Sequence, residues 1–162
     1  MDWDAFYWQQ LDRVYNYFRY RVADDRVAED LVSETFMKAL DRWETYNPAK
    51  ASINTWIMAI ARNTCTDFLR TRRAEVPLEL VHNHAGGPSV EQIVQRQDDL
   101  TQLTEIMNTI LNETERDIIT LSYGAEMTNR EIATLLNLSE SNVGTTKQRA
   151  VRKVRELWGG SQ

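Results

Sequence analysis

The sequence predicts an all-α protein: two small helical domains joined by a flexible linker, the second containing a helix-turn-helix. Three observations carry this. Apolar residues recur at helical steps of three and four through most of the chain, a proline- and glycine-bearing stretch without periodicity breaks the pattern between Ala74 and Ser89, and no segment alternates with the period of two that a half-buried strand needs. The expected domains are residues 1–73 and 90–162, with 74–89 as the linker.

Tyr7, Leu11, Val14 and Phe18 place one apolar stripe on a first helix. Val27, Leu31, Phe36, Leu40 and Trp43 do the same for a second. Asn47-Pro48 then interrupts the chain, because proline lacks an amide donor and restricts the residue before it. A third helix carries Ile53, Trp56, Ile57, Ile60, Thr64 and Phe68 on its inner face and ends in Arg70-Thr71-Arg72-Arg73. After Pro77 and Gly86-Gly87-Pro88 the patterning resumes near Val90 and continues through Ile93, Leu100, Leu103, Ile106, Ile110 and Leu111. Thr114 is the expected cap of a short helix bearing Ile118, Ile119 and Leu121.

Net charge over the 162 residues is -5, which by itself argues against nucleic-acid binding. Its distribution does not. Ala51–Arg73 holds four Arg and one Asp, and Thr128–Gln162 six basic residues against three acidic, whereas Met1–Lys50 and Asp98–Met127 are acidic. Two basic patches on an acidic background fit two DNA contacts plus a further partner, or simply solvated helix faces. Cys65 is the single cysteine, so no internal disulfide can form. The acidic start lacks the basic and apolar regions of a signal peptide, and no apolar run approaches the ~20 residues of a membrane span.

The sharpest local signal is Thr128-Asn129-Arg130-Glu131-Ile132-Ala133-Thr134-Leu135-Leu136-Asn137-Leu138-Ser139, leading to Val143. Thr128 and Glu131 form a capping box, small Ala133 admits a crossing helix, Asn137 tolerates the sharp turn and Ser139 caps the helix that follows. Ile132, Leu136, Leu138 and Val143 are placed to fill the space between the two helices. The second helix presents Ser141, Asn142, Gly144, Thr145 and Gln148, with basic Lys147, Arg149, Arg152, Lys153 and Arg155. In helix-turn-helix docking the early residues reach base edges and the basic ones grip phosphates. An ordinary helical hairpin with a charged surface is the bland alternative.

Ala28-Glu29-Asp30-Leu31-Val32-Ser33-Glu34-Thr35-Phe36-Met37-Lys38-Ala39-Leu40 resembles the polymerase-binding helix of bacterial sigma factors. Tyr46-Asn47-Pro48, Trp56-Ile57-Met58-Ala59-Ile60-Ala61-Arg62-Asn63 and Asp67-Phe68-Leu69-Arg70 follow at the spacing of the extracytoplasmic-function group, and the helix-turn-helix lies where that group has its second DNA-binding domain. The resemblance covers essentially the whole chain. It implies a transcription initiation factor, cytoplasmic in a bacterium, with no catalytic site, cofactor, small-molecule substrate or membrane insertion. Glu29, Asp30, Ser33, Glu34 and Lys38 would bind the clamp coiled coil of the largest subunit of core RNA polymerase, Ser33 standing where glutamine is common. Lys50, Ser52, Ile53 and Asn54 would form the loop that captures a flipped base of the downstream promoter box. Arg62, Asn63, Arg70, Arg72 and Arg73 would follow the separated strand, with an Asn63–Asp67 contact as the local alternative. Thr128, Ser139, Ser141, Asn142, Gly144, Thr145, Gln148, Arg149, Arg152 and Lys153 would read the upstream box on duplex DNA. Most of the group is held inactive by an anti-sigma factor, so such a partner is implied too.

Gly144 and Thr146 stand where relatives often carry basic residues, and Lys147 where an apolar one is usual, so Lys147 would have to extend past the core. Trp56 falls on the apolar stripe and reads as core rather than a stacking platform. Cys65 reads as a small buried residue, and His82 and His84 as a solvated loop pair rather than a metal site. Two competing readings are a dimeric repressor or response-regulator output domain with the same motif, and a helical adaptor that binds proteins alone. Nothing pairs a nucleophile with a base as an enzyme would.

Overall fold

A computed structural model describes residues 2–75 and 99–159. Among them are seven α-helices: α1 (Trp3–Arg21), α2 (Asp25–Asp41), α3 (Ile53–Glu75), α4 (Asp99–Ile110), α5 (Glu113–Ile119), α6 (Asn129–Leu136) and α7 (Glu140–Gly159). A 3-10 turn (Trp43–Thr45) follows α2, and a π-helical turn (Thr120–Gly124) continues α5. No strand occurs among the described residues. The predicted linker beyond Glu75, the patterning at Val90 and Ile93, and His82 and His84 lie outside them.

The first three helices form a bundle whose stripes are close to those the spacing predicts. Val14, Phe18, Leu31, Phe36, Ile57 and Ile60 are buried, while Tyr7, Leu11, Val27, Ile53, Trp56 and Phe68 pack at the margin. Leu40 departs from the prediction: it is 53% exposed, since the helix turns it and Met37 outward. Each of the first two helices is capped by an aspartate, Asp2 for α1 and Asp24 for α2, satisfying amides left open at the helix start. Trp3, Phe6, Phe36, Trp43, Tyr46 and Trp56 pack ring against ring under the loop before α3. Trp56 is therefore part of the floor of that loop. The α3 helix continues through Ala74 and Glu75, two residues past the predicted domain boundary.

In the second half the cap of α5 differs from the prediction. Asn112, not Thr114, accepts from the amide of Glu115, and the Glu115 carboxylate accepts from the Asn112 amide. Thr114 sits in the first turn of α5, two residues past the cap position. The helix-turn-helix forms as its sequence dictates. The Thr128–Glu131 capping box closes, Asn137 takes the left-handed conformation (φ 57°), and Ser139 Oγ accepts from the Asn142 amide at 3.0 Å.

The two predicted domains are packed together. One hydrophobic cluster runs from Val14, Tyr17 and Phe18 through Ile57 and Ala61 to Ile118, Leu121, Ile132 and Val143. The π turn and α4 both rest on α1, and α6 rests on α3. Glu126, outside the helices, has φ 55° without being glycine. A β-carbon in that region costs about 1–2 kcal/mol, partly offset by the greater chain entropy a glycine loses on folding. Glu126→Gly is thus expected to stabilise the fold by roughly 0.5–1 kcal/mol in urea melts, with no gain marking the turn as unstrained.

Candidate nucleic-acid interface

Three surfaces hold the residues that the sequence singles out. On α2, Glu29, Asp30, Ser33 and Glu34 are exposed on one face, and Lys38 is half-buried. Lys38 reaches Glu34 at 3.2 Å and donates to Thr64 Oγ1 at 3.1 Å, so it braces this face against α3. Glu29, Asp30 and Ser33 remain open, and exposed Met37 extends the face with an apolar edge. Sequence reasoning passed over Met37, although its place one turn after Ser33 was a usable signal.

The loop before α3 is stiffened from within. Tyr46 donates to the Ala51 carbonyl at 3.0 Å, and Asn47 Oδ1 accepts from the Ala49 amide at 3.0 Å. Ser52 Oγ accepts from the Thr55 amide at 3.2 Å and so caps α3, and it also contacts Glu131 Oε2 at 3.2 Å. Asn54 Oδ1 accepts from buried Gln10 at 2.7 Å, while Ile53 packs on the core. Lys50 is the exposed cation of this loop. Along α3, Asn63, Arg70 and Arg72 are exposed. Asp67 pairs with Arg70 at 2.7 Å, and the Arg72 guanidinium stacks on Phe68 at 5.9 Å. Arg73 lies on the helical backbone, and its side chain is outside the described ones. Arg62 is engaged: its Nε and terminal nitrogen both lie 3.1 Å from Asp117 Oδ2 on α5.

On the recognition helix α7, Ser141, Asn142, Thr145, Gln148, Arg149 and Arg152 are exposed, while Val143, Thr146 and Ala150 face inward. Thr146 donates to Asn142 Oδ1 at 2.9 Å, so a basic residue there would have to leave the core. Lys147 does extend past the core, its ammonium 5.1 Å from the Tyr123 ring centre. A β-carbon at Gly144 would meet only Asn129 Nδ2, at 3.7 Å, so internal packing does not demand the glycine. Thr128 and Ser139 spend their hydroxyls on helix caps.

Arg149 and Lys153 have a partner that spacing could not reveal. Glu115 on α5 is fully buried, and Lys153 Nζ reaches both of its carboxylate oxygens at 2.9 and 3.0 Å. Arg149 Nε lies 3.6 Å from the same group. Burial would raise the Glu115 pKa, but the Asn112 amide, Lys153 and Arg149 outweigh it and hold the carboxyl below its ordinary 4.5. This carboxylate therefore fixes the roll of the recognition helix against α5. Burial pushes the Cys65 thiol up, keeping it neutral and poorly reactive. Among the described residues no three metal-ligating side chains are grouped, and no helix is long and apolar enough to cross a membrane.

Residues 6–75 match the Sigma-70 region 2 family model, and residues 103–154 match the Sigma-70 region 4 model. The extracytoplasmic-function sigma factor SigM of Bacillus subtilis is 27% identical over 158 residues, covering 96% of this chain and 94% of that protein. BldN of Streptomyces coelicolor, of the same group, is 31% identical over 95% of this chain, which spans 60% of that longer protein. The fold is similar to that of the sigma factor RpoE solved in complex with the anti-sigma factor NepR from Bartonella quintana, with a TM-score of 0.72, 20% identity and 96% of each chain covered. It is also similar to CnrH solved in complex with the cytosolic domain of CnrY, with a TM-score of 0.67, 18% identity, and 98% of this chain and 86% of that one covered.

Because the folded-state pKa of Glu115 is depressed, its stabilisation is complete above about pH 5 and fades as pH falls through that lowered pKa. Glu115→Gln should therefore cost about 1–3 kcal/mol at pH 7 and flatten the acid limb of the stability curve below pH 4.5. An unaltered acid limb would remove the carboxylate from this role. With two sigma regions in order along one chain and a relative of the same kind matched along nearly its whole length, the chain belongs to the extracytoplasmic-function group of RNA polymerase sigma factors.

Proposed function

We propose that this chain is a transcription initiation factor that binds core RNA polymerase through α2, opens the downstream promoter box along α3 and reads the upstream box with α7. The observation that carries the reading is the order of the two family regions on surfaces of matching chemistry. The open Glu29–Asp30–Ser33 face of α2 suits a basic coiled-coil partner. Lys50 and the outward Asn63, Arg70 and Arg72 suit a single strand whose backbone needs cations and whose bases need donors. The proposed contribution of binding energy to melting leaves RNA synthesis chemistry to the polymerase.

For the upstream box, Ser141, Asn142, Thr145 and Gln148 are the favoured base readers and Arg152 the favoured phosphate contact, because each is exposed. Arg149 and Lys153 hold the helix through Glu115 and add positive field near the backbone. The division into domains 1–73 and 90–162 is supported by the two family regions at 6–75 and 103–154. Control by an anti-sigma factor is supported by the similar structure of RpoE, which was solved in complex with the anti-sigma factor NepR. An apolar groove of about 650 Å3 between α4, α7 and Tyr20 of α1 offers such a partner a surface.

Asp30→Arg is expected to weaken co-purification with core polymerase while leaving the thermal melt unchanged, since Asp30 is exposed. Retained co-purification would sink the docking assignment. Arg152→Ala should weaken duplex binding across all sequences and lower the slope of log K against log salt by about 1. Loss of sequence preference instead would make Arg152 a base reader.

A further inference from the structure

We propose that a cavity at the seam between the two halves, lined by Arg21, Arg70 and Arg116, is a binding site for a small, multiply charged phosphate compound. The inference does not depend on the promoter role proposed above, and its failure would leave that role untouched.

The cavity measures about 430 Å3 and is walled by the end of α1, the later turns of α3 and the corner between α4 and α5. That volume falls within the roughly 300–1,000 Å3 usual for small-molecule sites. Its three arginines come from three different helices, and the one carboxylate among its lining residues is that of Glu113. Three guanidinium groups against a single carboxylate leave an excess that a doubly charged phosphate balances better than a singly charged carboxylate does.

Arg21 carries the argument. It is the last residue of α1 and only 6% exposed, and its Nε and Nη1 are buried with no hydrogen-bond partner among the described residues. Burial works against its charge, while Tyr17, Cys65 and Asp117 act the other way and outweigh it. Asp117, however, gives its Oδ2 to Arg62, whose two contacts are each 3.1 Å long. A buried cation with open N–H groups is costly unless an acceptor meets it. An oxyanion in the cavity would supply that acceptor.

The other two arginines are held in place for the same task. Arg116 is half-buried, and its Nη1 donates to the Asn108 carbonyl at 3.3 Å, which ties the guanidinium to the end of α4. Arg70 is exposed, and Asp67 steadies it at 2.7 Å without itself lining the cavity. Forked guanidinium donors arriving from separate directions suit the several oxygens of a phosphate group. A DNA backbone offers phosphates too, but each carries its chain on both sides, and Arg21 lies buried beneath the rim. A free ligand is the better fit.

The test is isothermal titration calorimetry of the full chain with inorganic pyrophosphate, at an ionic strength held constant with sodium chloride so that screening is matched. The site predicts saturable binding, weakened roughly tenfold or more in Arg21→Gln and in Arg116→Gln. Glu113→Gln, which removes the opposing charge from an exposed position, should tighten it roughly two- to fivefold. Arg21→Gln alters a buried residue, so the other two variants keep the test decisive if that chain fails to fold. No binding by the unchanged chain or by Glu113→Gln overturns the proposal and leaves the cavity to water. Binding that survives Arg116→Gln but is lost in Arg152→Ala places the anion on the recognition helix and overturns it as well. A single-stranded oligonucleotide that follows the predicted variant pattern, with pyrophosphate not bound, assigns the cavity to a strand backbone and overturns the free ligand.

Discussion

The α1 helix is a wall shared by both halves of the molecule. Val14 and Phe18 face the bundle with α2 and α3, while Tyr17, Tyr20 and the Asn16 carbonyl receive the π turn and α4 of the second half. A helix with one apolar stripe can serve one core; α1 buries more than a stripe, including polar Gln10 and Arg21. Gln10 donates to Asn54, and the Asp117 charge acts on Arg21 across the seam. Everything proposed for the promoter surface depends on this wall, since it sets where the helix-turn-helix sits relative to α3.

A second consequence concerns the basic residues. Along the sequence they look like equivalent cations, yet in the fold they divide by partner. Arg62 holds Asp117, Lys153 and Arg149 hold Glu115, and Lys38 braces α2 against α3. Lys50 and Arg152 keep exposed positions in the loop and on the recognition helix. The cations that set the geometry of the proposed DNA surfaces are therefore partly distinct from those free to meet a phosphate. Glu115 is the clearest hinge between these roles, because one buried carboxylate caps α5 and aligns α7.

What could be read from the sequence was local. The Thr128–Glu131 box, the left-handed Asn137 and the Ser139 cap are each decided within a few residues, and the apolar stripes follow from a helical period. Asn112 was missed because Thr114 is also a good cap, and the choice turns on where Glu115 can reach back. Asp117, Glu115 and Gly124 carried no signal in the sequence: their partners lie 55, 38 and about 100 residues away, and only tertiary packing brings them together. The same packing joins two domains that their composition predicts as separate. Leu40 was assigned to the core by spacing alone, whereas the end of α2 faces outward.

The central claim is that this chain gives core RNA polymerase its choice of promoter. Run-off transcription with purified core polymerase on pooled genomic promoter fragments, with and without the chain, tests it most directly. The account predicts discrete new transcripts that require the chain and share two upstream boxes. Binding to duplex DNA without any such transcript would contradict it and favour a repressor built on the same helix-turn-helix.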